Sequence, residues 1–357
     1  MMGISALIEQ GVQSLAQVAI IEGRGKIRDG EVVFYHLAEG EADNAAQTAL
    51  EGLGLDVTYS HENGRSYVVL RERTSAPSHR LSRTHIVLFL ATILTTLAAG
   101  AMLDGHDIFR QPGTIVSGWP FSLTLLAILG IHEFGHYFYA RRHRVDVSPP
   151  YFIPLPPPIT FIGTLGAFIK MRGPIPNRLA LLEIGAAGPI AGFLAAVPAI
   201  FLGLHLSSVV AIESPGFFLG ESLLMKWATV VMFPNLGPEQ DVLLHPVGFA
   251  GWIGLLVTML NLLPLAQLDG GHIAYALLGE RQEWLGRAIF VALIPMGIFL
   301  SPNWLFWGFL ILILMRTVKH PPVYDVGTSL TPHELRIGII CLAIFILCFI
   351  PVPFKTI

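Results

Sequence analysis

The sequence predicts an α-helical polytopic membrane protein of about seven spans. A small N-terminal α+β soluble domain precedes the spans, and a membrane-associated β segment lies beside the candidate functional residues. Three observations carry this reading. Hydrophobic residues make up 53% of the 357 and charged residues only 13%, with a mean hydropathy of +0.63. Soluble chains carry about 25% charged residues. Seven apolar stretches follow one another from residue 84 onward, and the first 80 residues differ from the rest, with eleven Asp and Glu and only short apolar runs. The net charge of −3 and the lack of a basic run give no sign of a nucleic-acid partner.

The elements follow in chain order. The opening MMGISALIEQGVQSLAQ has no basic region and no continuous apolar core, so no cleavable signal peptide is expected. Residues 31–37 read as a strand and 43–52 as a helix capped by Asp43. Residues 55–60 and 66–72 read as two further strands, joined by the turn His61-Glu62-Asn63-Gly64. A linker rich in Ser, Pro and Arg covers 74–83, which sets the domain limits at 1–80 and 81–357. The partner of the first domain is unknown.

The expected spans are 84–103, 119–140, 179–204, 246–265, 285–300, 302–315 and 335–350. Glu221 and Lys226 interrupt the apolar run 217–233, which reads as an interfacial amphipathic helix. Basic residues set the orientation. Arg71, Arg73, Arg80 and Arg83 precede the first span, and Arg141, Arg142, Arg144, Lys170, Arg172 and Arg178 lie between the second and third. The loops 104–118 and 205–245 carry only Arg110 and Lys226. The N-terminus is therefore expected in the cytoplasm, most simply at the plasma membrane of a prokaryotic cell. Cys341 and Cys348, seven apart, have neither zinc-ligand nor disulfide spacing and read as buried small hydrophobes.

Residues 132–136, inside the second span, read His-Glu-Phe-Gly-His. On a helix this spacing puts His132 and His136 on one face, where both imidazoles reach one Zn²⁺. Glu133 stands beside them as a general base. Ionisable groups at membrane depth are expensive, and three within five positions point to a site rather than a polar helix end. Catalytic zinc takes three protein ligands and keeps a fourth position open. Asp269, in the stretch NLLPLAQLDGGHI at 261–273, is the candidate third ligand. Gly270 and Gly271 allow the backbone to bend there. The other reading of Asp269 is an N-cap for the helix that follows. His272 is equally a supporting contact or a plain interfacial residue.

The HExxH pentapeptide in one span and N-x-x-P-x-x-x-x-D-G in a later one resemble the site-2 protease family of intramembrane zinc metalloproteases. Between them GAAGPIAG, at 185–192, is similar to the family's small-residue central span. The run PYFIPLPPPITFIGTLGAFIKM, at 150–171, resembles its plastid and cyanobacterial branch. The resemblance covers about 132–272. It implies His132, His136 and Asp269 as zinc ligands, Glu133 as catalytic base, and a role for Asn261 near the substrate carbonyl. It also implies hydrolysis of transmembrane segments of partner proteins within the lipid bilayer. Asn261 has a second reading, as a polar group satisfying backbone exposed at the Pro264 kink.

A helical substrate must unwind before it is cut, and an exposed edge strand suits an extended peptide. Residues 160–170 are β-prone, with glycines that permit close backbone approach. Gly163, Thr164, Leu165, Gly166 and Ala167 are the expected substrate-binding residues, and the alternative is an ordinary cytoplasmic hairpin. Gly185, Gly188 and Gly192 are expected to seat the third span against the metal-bearing spans. Two other functions share these residues: a zinc or proton transporter, and a catalytically dead family member acting as a scaffold. No internal repeat of the kind common in transporters is present, and the complete ligand set with Glu133 speaks against a dead enzyme.

Overall fold

The computed structural model describes residues 6–27, 30–38, 45–62, 65–72, 81–173, 175–212, 217–315, 317–318, 320, 323 and 330–356. The chain forms two compact units, Met1–Ser78 and His79–Ile357.

The first unit contains α1 (Ala6–Leu15), β1 (Ala19–Ile27), β2 (Gly30–Leu37), α2 (Ala45–Leu50), β3 (Leu55–Glu62) and β4 (Arg65–Glu72). The strands form one antiparallel sheet in the order β1-β2-β4-β3. Alternation along β2 puts Glu31, Val33 and Tyr35 on the buried face. Val33, Val68 and Leu70 pack there with Ile8, Val12 and Leu15 of α1. Arg24 bridges Glu31 and Glu9, the latter at 2.8 Å. That guanidinium holds the Glu9 carboxyl below the usual carboxylate range. Burial pushes the Tyr59 phenol up to about 12, helped by Tyr35 and Glu51.

Two elements here lie outside the sequence reading. α1 contains Gly11, and β1 contains Gly23 and Gly25, so neither shows a clean pattern. The expected turn at 61–64 is partly strand, because β3 runs through His61 and Glu62. Asp43 and residues 74–80 of the linker lie outside the described residues.

The second unit opens with α3 (Arg83–Leu103), a 3₁₀ turn (Pro112–Gly118) and α4 (Trp119–Arg142), followed by β5 (Tyr151–Pro154) and β6 (Thr164–Phe168). Then come α5 (Arg178–His205), β7 (Ser208–Ala211), β8 (Phe217–Leu219), α6 (Leu223–Met232), β9 (Gln240–Leu243) and α7 (Pro246–Asn261). The chain ends with α8 (Asp269–Leu278), α9 (Gln282–Phe299), α10 (Asn303–Met315), α11 (Pro332–Cys348) and β10 (Phe354–Thr356).

Among the described residues, four helical stretches are long and apolar enough to cross a membrane: Arg83–Leu103, Pro112–Arg142, Arg178–His205 and Asp269–Phe299. The stretches expected at 246–265, 302–315 and 335–350 correspond to α7, α10 and α11, of 16, 13 and 17 residues. α7 stops at Asn261 because the chain unwinds over 262–268, around Pro264. The run 217–233 is not one helix. Phe217–Leu219 pairs with β10, Gly220 lies against the Val352 carbonyl, and Ser222 then caps α6 by accepting from the Met225 N–H at 3.1 Å.

Side chains of α4, α5 and α7 fill one core, including Phe121, Leu125, Leu181, Ile200 and Leu255, all fully buried. Apolar surface gains little by leaving lipid, so small residues that let backbones approach supply much of the packing. α5 is built this way, and Asn177 caps it through the Ala180 N–H at 2.9 Å. His143 at the end of α4 meets Glu183 of α5 at 2.6 Å. At the other end, the Trp252 indole donates to the Gly220 carbonyl and the Trp304 indole to the Pro351 carbonyl, each at 2.7 Å. Cys341 and Cys348 are buried and unbonded to each other.

Candidate metal centre

Three helices bring the site together. α4 carries His132, Glu133 and His136, all buried. α5 forms the wall behind them with its small residues. A methyl group at Gly188 would lie 2.0 Å from His136 Nε2, and one at Gly192 would lie 2.9 Å from His132 Nδ1. GAAGPIAG is small because the histidine rings occupy the space that side chains would take. α8 supplies Asp269 as its first residue.

Asp269 does not cap α8. The N-cap position is Leu268, without a side-chain cap bond. The Asp269 carboxylate lies 3.2 Å from His136 Nε2 and 3.3 Å from His132 Nε2, and the two Nε2 atoms are 3.1 Å apart. His136 Nδ1 donates to the Ile184 carbonyl at 2.7 Å, which leaves the Nε2 lone pair pointing inward. Nitrogen and carboxylate acceptors converging like this call for a cation. A tetrahedral zinc with bonds of about 2.0–2.2 Å separates neighbouring ligand atoms by roughly 3.3–3.6 Å. The observed spacings match to within a few tenths of an ångström, so His132, His136 and Asp269 fit a metal ion.

Gly270 and Gly271 are helical here, and they do not bend the chain. Added methyl groups would meet the Leu262 carbonyl at 2.1 Å and the Ala266 carbonyl at 2.2 Å. The glycines let the first turn of α8 press on the unwound segment 262–268. At its other end, α8 is capped by Arg178, whose guanidinium donates to the carbonyls of Ala276 at 2.8 Å and Leu277 at 3.1 Å. Asn261, the last residue of α7, has its amide nitrogen 3.3 Å from His132 Nε2. The Pro264 carbonyl is bonded instead by Gln282.

β6 pairs antiparallel with β5, Phe168 opposite Tyr151 and Gly166 opposite Ile153, in a two-stranded sheet. The backbone of Ile169, just past β6, faces the Glu133 carboxylate. The expected substrate residues divide. Gly163 has φ +82° and sits against α3, where a methyl group would meet the Thr95 carbonyl at 2.5 Å. The Thr164 hydroxyl is engaged by the Ile153 carbonyl at 2.7 Å. Leu165 is exposed, Gly166 faces open space, and Ala167 is half-buried against the core. The close approach that Gly163 permits is therefore to a helix of the same chain.

A sequence profile of peptidase family M50 matches residues 120–301, half of the chain and the whole of this site. The chain belongs to peptidase family M50, the site-2 proteases. Among M50 relatives it is 32% identical to "Probable zinc metalloprotease EGY1, chloroplastic" of Arabidopsis thaliana over 319 residues, covering 80% of this chain and 57% of that one. The protein of that name from Oryza sativa subsp. japonica is 31% identical over 296 residues, with coverages of 74% and 50%. "Probable zinc metalloprotease EGY2, chloroplastic" of Arabidopsis thaliana is 26% identical over 289 residues, with coverages of 79% and 50%. The chain spans about half the length of the curated relatives it matches. No solved structure matches it.

Sequence reasoning missed several groups around the M50 site. Gln282 and His320 lie outside its motifs in sequence, and Ile169 lies inside the run 150–171 without being singled out there. His272 was noticed but given no partner; its Nδ1 lies 2.6 Å from His320 Nε2.

Proposed function

We propose that this chain is an intramembrane zinc endopeptidase that cuts transmembrane or membrane-proximal segments of other membrane proteins. The observation that carries the reading is the convergence of His132 Nε2, His136 Nε2 and the Asp269 carboxylate beside a buried Glu133. Zinc in that set supplies Lewis acidity, polarising a peptide carbonyl and making water acidic near neutral pH. Glu133 takes the proton from the attacking water and returns it to the leaving amine. The Asn261 amide donates to the carbonyl oxygen as negative charge builds there. The outer edge of β6 holds the unwound substrate by main-chain bonds.

The charge pattern supports seven spans, with residues 1–80 and 141–178 on the cytoplasmic side of a prokaryotic plasma membrane. The matched relatives are chloroplastic by name.

Glu133→Gln tests the reading. Purified variant protein is expected to keep stoichiometric zinc and to lose cleavage of a transmembrane reporter by a factor of about 10² or more. Near-normal cleavage removes Glu133 from the chemistry. A transporter would keep metal flux in this variant, and a scaffold would show no cleavage in the wild type. Comparing the membrane proteome of wild type with that of the variant then identifies substrates, as proteins that accumulate uncut.

A further inference from the structure

Asn261 and Asp269 sit at the two ends of the unwound segment 262–268, and that segment has little structure of its own. Ala266 lies in the left-handed region at φ +48°, a conformation a non-glycine residue holds only when its surroundings impose it. The surroundings are specific. The Ala266 N–H donates to the Val318 carbonyl at 3.0 Å. The fully buried Gln282 donates to both the Pro264 and Val318 carbonyls at 3.2 Å, and its own carbonyl accepts from the His320 N–H at 3.1 Å. The His320 ring meets His272 Nδ1 at 2.6 Å and stacks on Tyr275 with centroids 4.7 Å apart. His272 and Tyr275 lie on α8, one turn and two turns from Asp269.

We infer that Gln282 and His320 are positioning residues for the metal centre. They lock the chain at Val318 across the unwound segment and α8, and so fix where Asp269 and Asn261 point. Gln282 holds the segment from one side, through Pro264 and Val318. His320 holds α8 from the other, through His272. Both groups are buried and polar, and each makes bonds that an apolar replacement would break. Neither touches a ligand atom. The inference rests on the reading of His132, His136 and Asp269 as a zinc centre.

The test uses the full-length chain in detergent, with zinc affinity measured by chelator competition and ligand geometry read from the visible absorption of the Co²⁺-substituted protein. Asp269→Ala is the reference for a lost ligand. His320→Phe keeps the stack on Tyr275 and removes the bond to His272. It is expected to weaken zinc binding about 10- to 100-fold and to shift the Co²⁺ bands. His320→Gln, whose amide nitrogen replaces Nε2, is expected to restore both. Gln282→Met, similar in shape but unable to hydrogen-bond, is expected to act like His320→Phe, and it decides the matter if His320→Phe does not fold. Wild-type affinity and an unshifted Co²⁺ spectrum in the folded variants overturn the inference. A wild-type chain that binds no zinc overturns the zinc-centre reading instead, whatever the variants do.

Discussion

At residue 188 the site tolerates no side chain at all. A single added methyl group would fall 2.0 Å from the ring nitrogen that His136 offers to metal. Neither a helix backbone nor a ring clamped to the Ile184 carbonyl can yield that much. Gly188→Ala is therefore expected to lose zinc and cleavage together while the chain still folds. Gly130→Ala, on the same helix as the histidines, would meet only Phe152 at an ordinary 3.9 Å and should keep both. Metal analysis of the two purified variants checks this. At this scale the histidines and Glu133 were legible because helical periodicity puts them together within five residues. Asp269 taken alone reads equally as an N-cap or a ligand, and it was legible as the third ligand because His132 and His136 stand on another span. His320 was not legible, because no periodicity links a loop histidine to a helix 48 residues earlier.

Among the elements, β6 carries the sharpest test. Both the N–H and the C=O of Lys170 face Ser148, so Ile169 faces the other way, toward Glu133. Alternation then turns Gly166 and Phe168 toward β5 and Ala167 outward. Proline removes the backbone donor. Ala167→Pro is thus expected to abolish cleavage of a helical substrate with β5–β6 pairing and zinc intact. Ala167→Val should cut nearly normally if the peptide is held by main-chain bonds, as proposed. A reporter cleavage assay on both, with zinc analysis, separates loss of pairing from collapse of the site. α4 and α5 were readable from apolar length alone. The short pairs β7–β9 and β8–β10 were not, since they join segments 29 or more residues apart through only four and three residue pairs.

For the whole molecule, topology and the first unit each give a prediction. Both native cysteines are buried, so new ones report cleanly. Arg142→Cys, at the end of α4, and Ser208→Cys, just after α5, are expected to label from opposite sides of the membrane. Same-side labelling would remove α5 as a span. In the first unit, the Tyr59 phenol has a folded pKa of about 12 against an ordinary 10.0. The unfolded chain then loses its proton first, so stability is complete below pH 10 and declines as pH rises toward 12. A thermal melt of a 1–78 fragment should show a constant midpoint below that range and a falling one within it, and Tyr59→Phe should flatten the fall. The composition shift near residue 80 made a separate unit legible. The sheet order was not, because β1 has no clean alternation and nothing local says that β2 pairs with β4.

The outer edge of β6 has a direction, since it runs toward Ile169 and ends at Glu133. A peptide lying antiparallel on that edge runs its own chain away from the base. The part held by main-chain bonds is then the part after the cut bond, and the part before it has no such hold. Hydrolysis would free the amino-terminal product at once and leave the carboxy-terminal product on the strand. Turnover would then be limited by how fast that second product peels away, and a substrate with a weakly pairing sequence after the cut would be processed faster than one that pairs well.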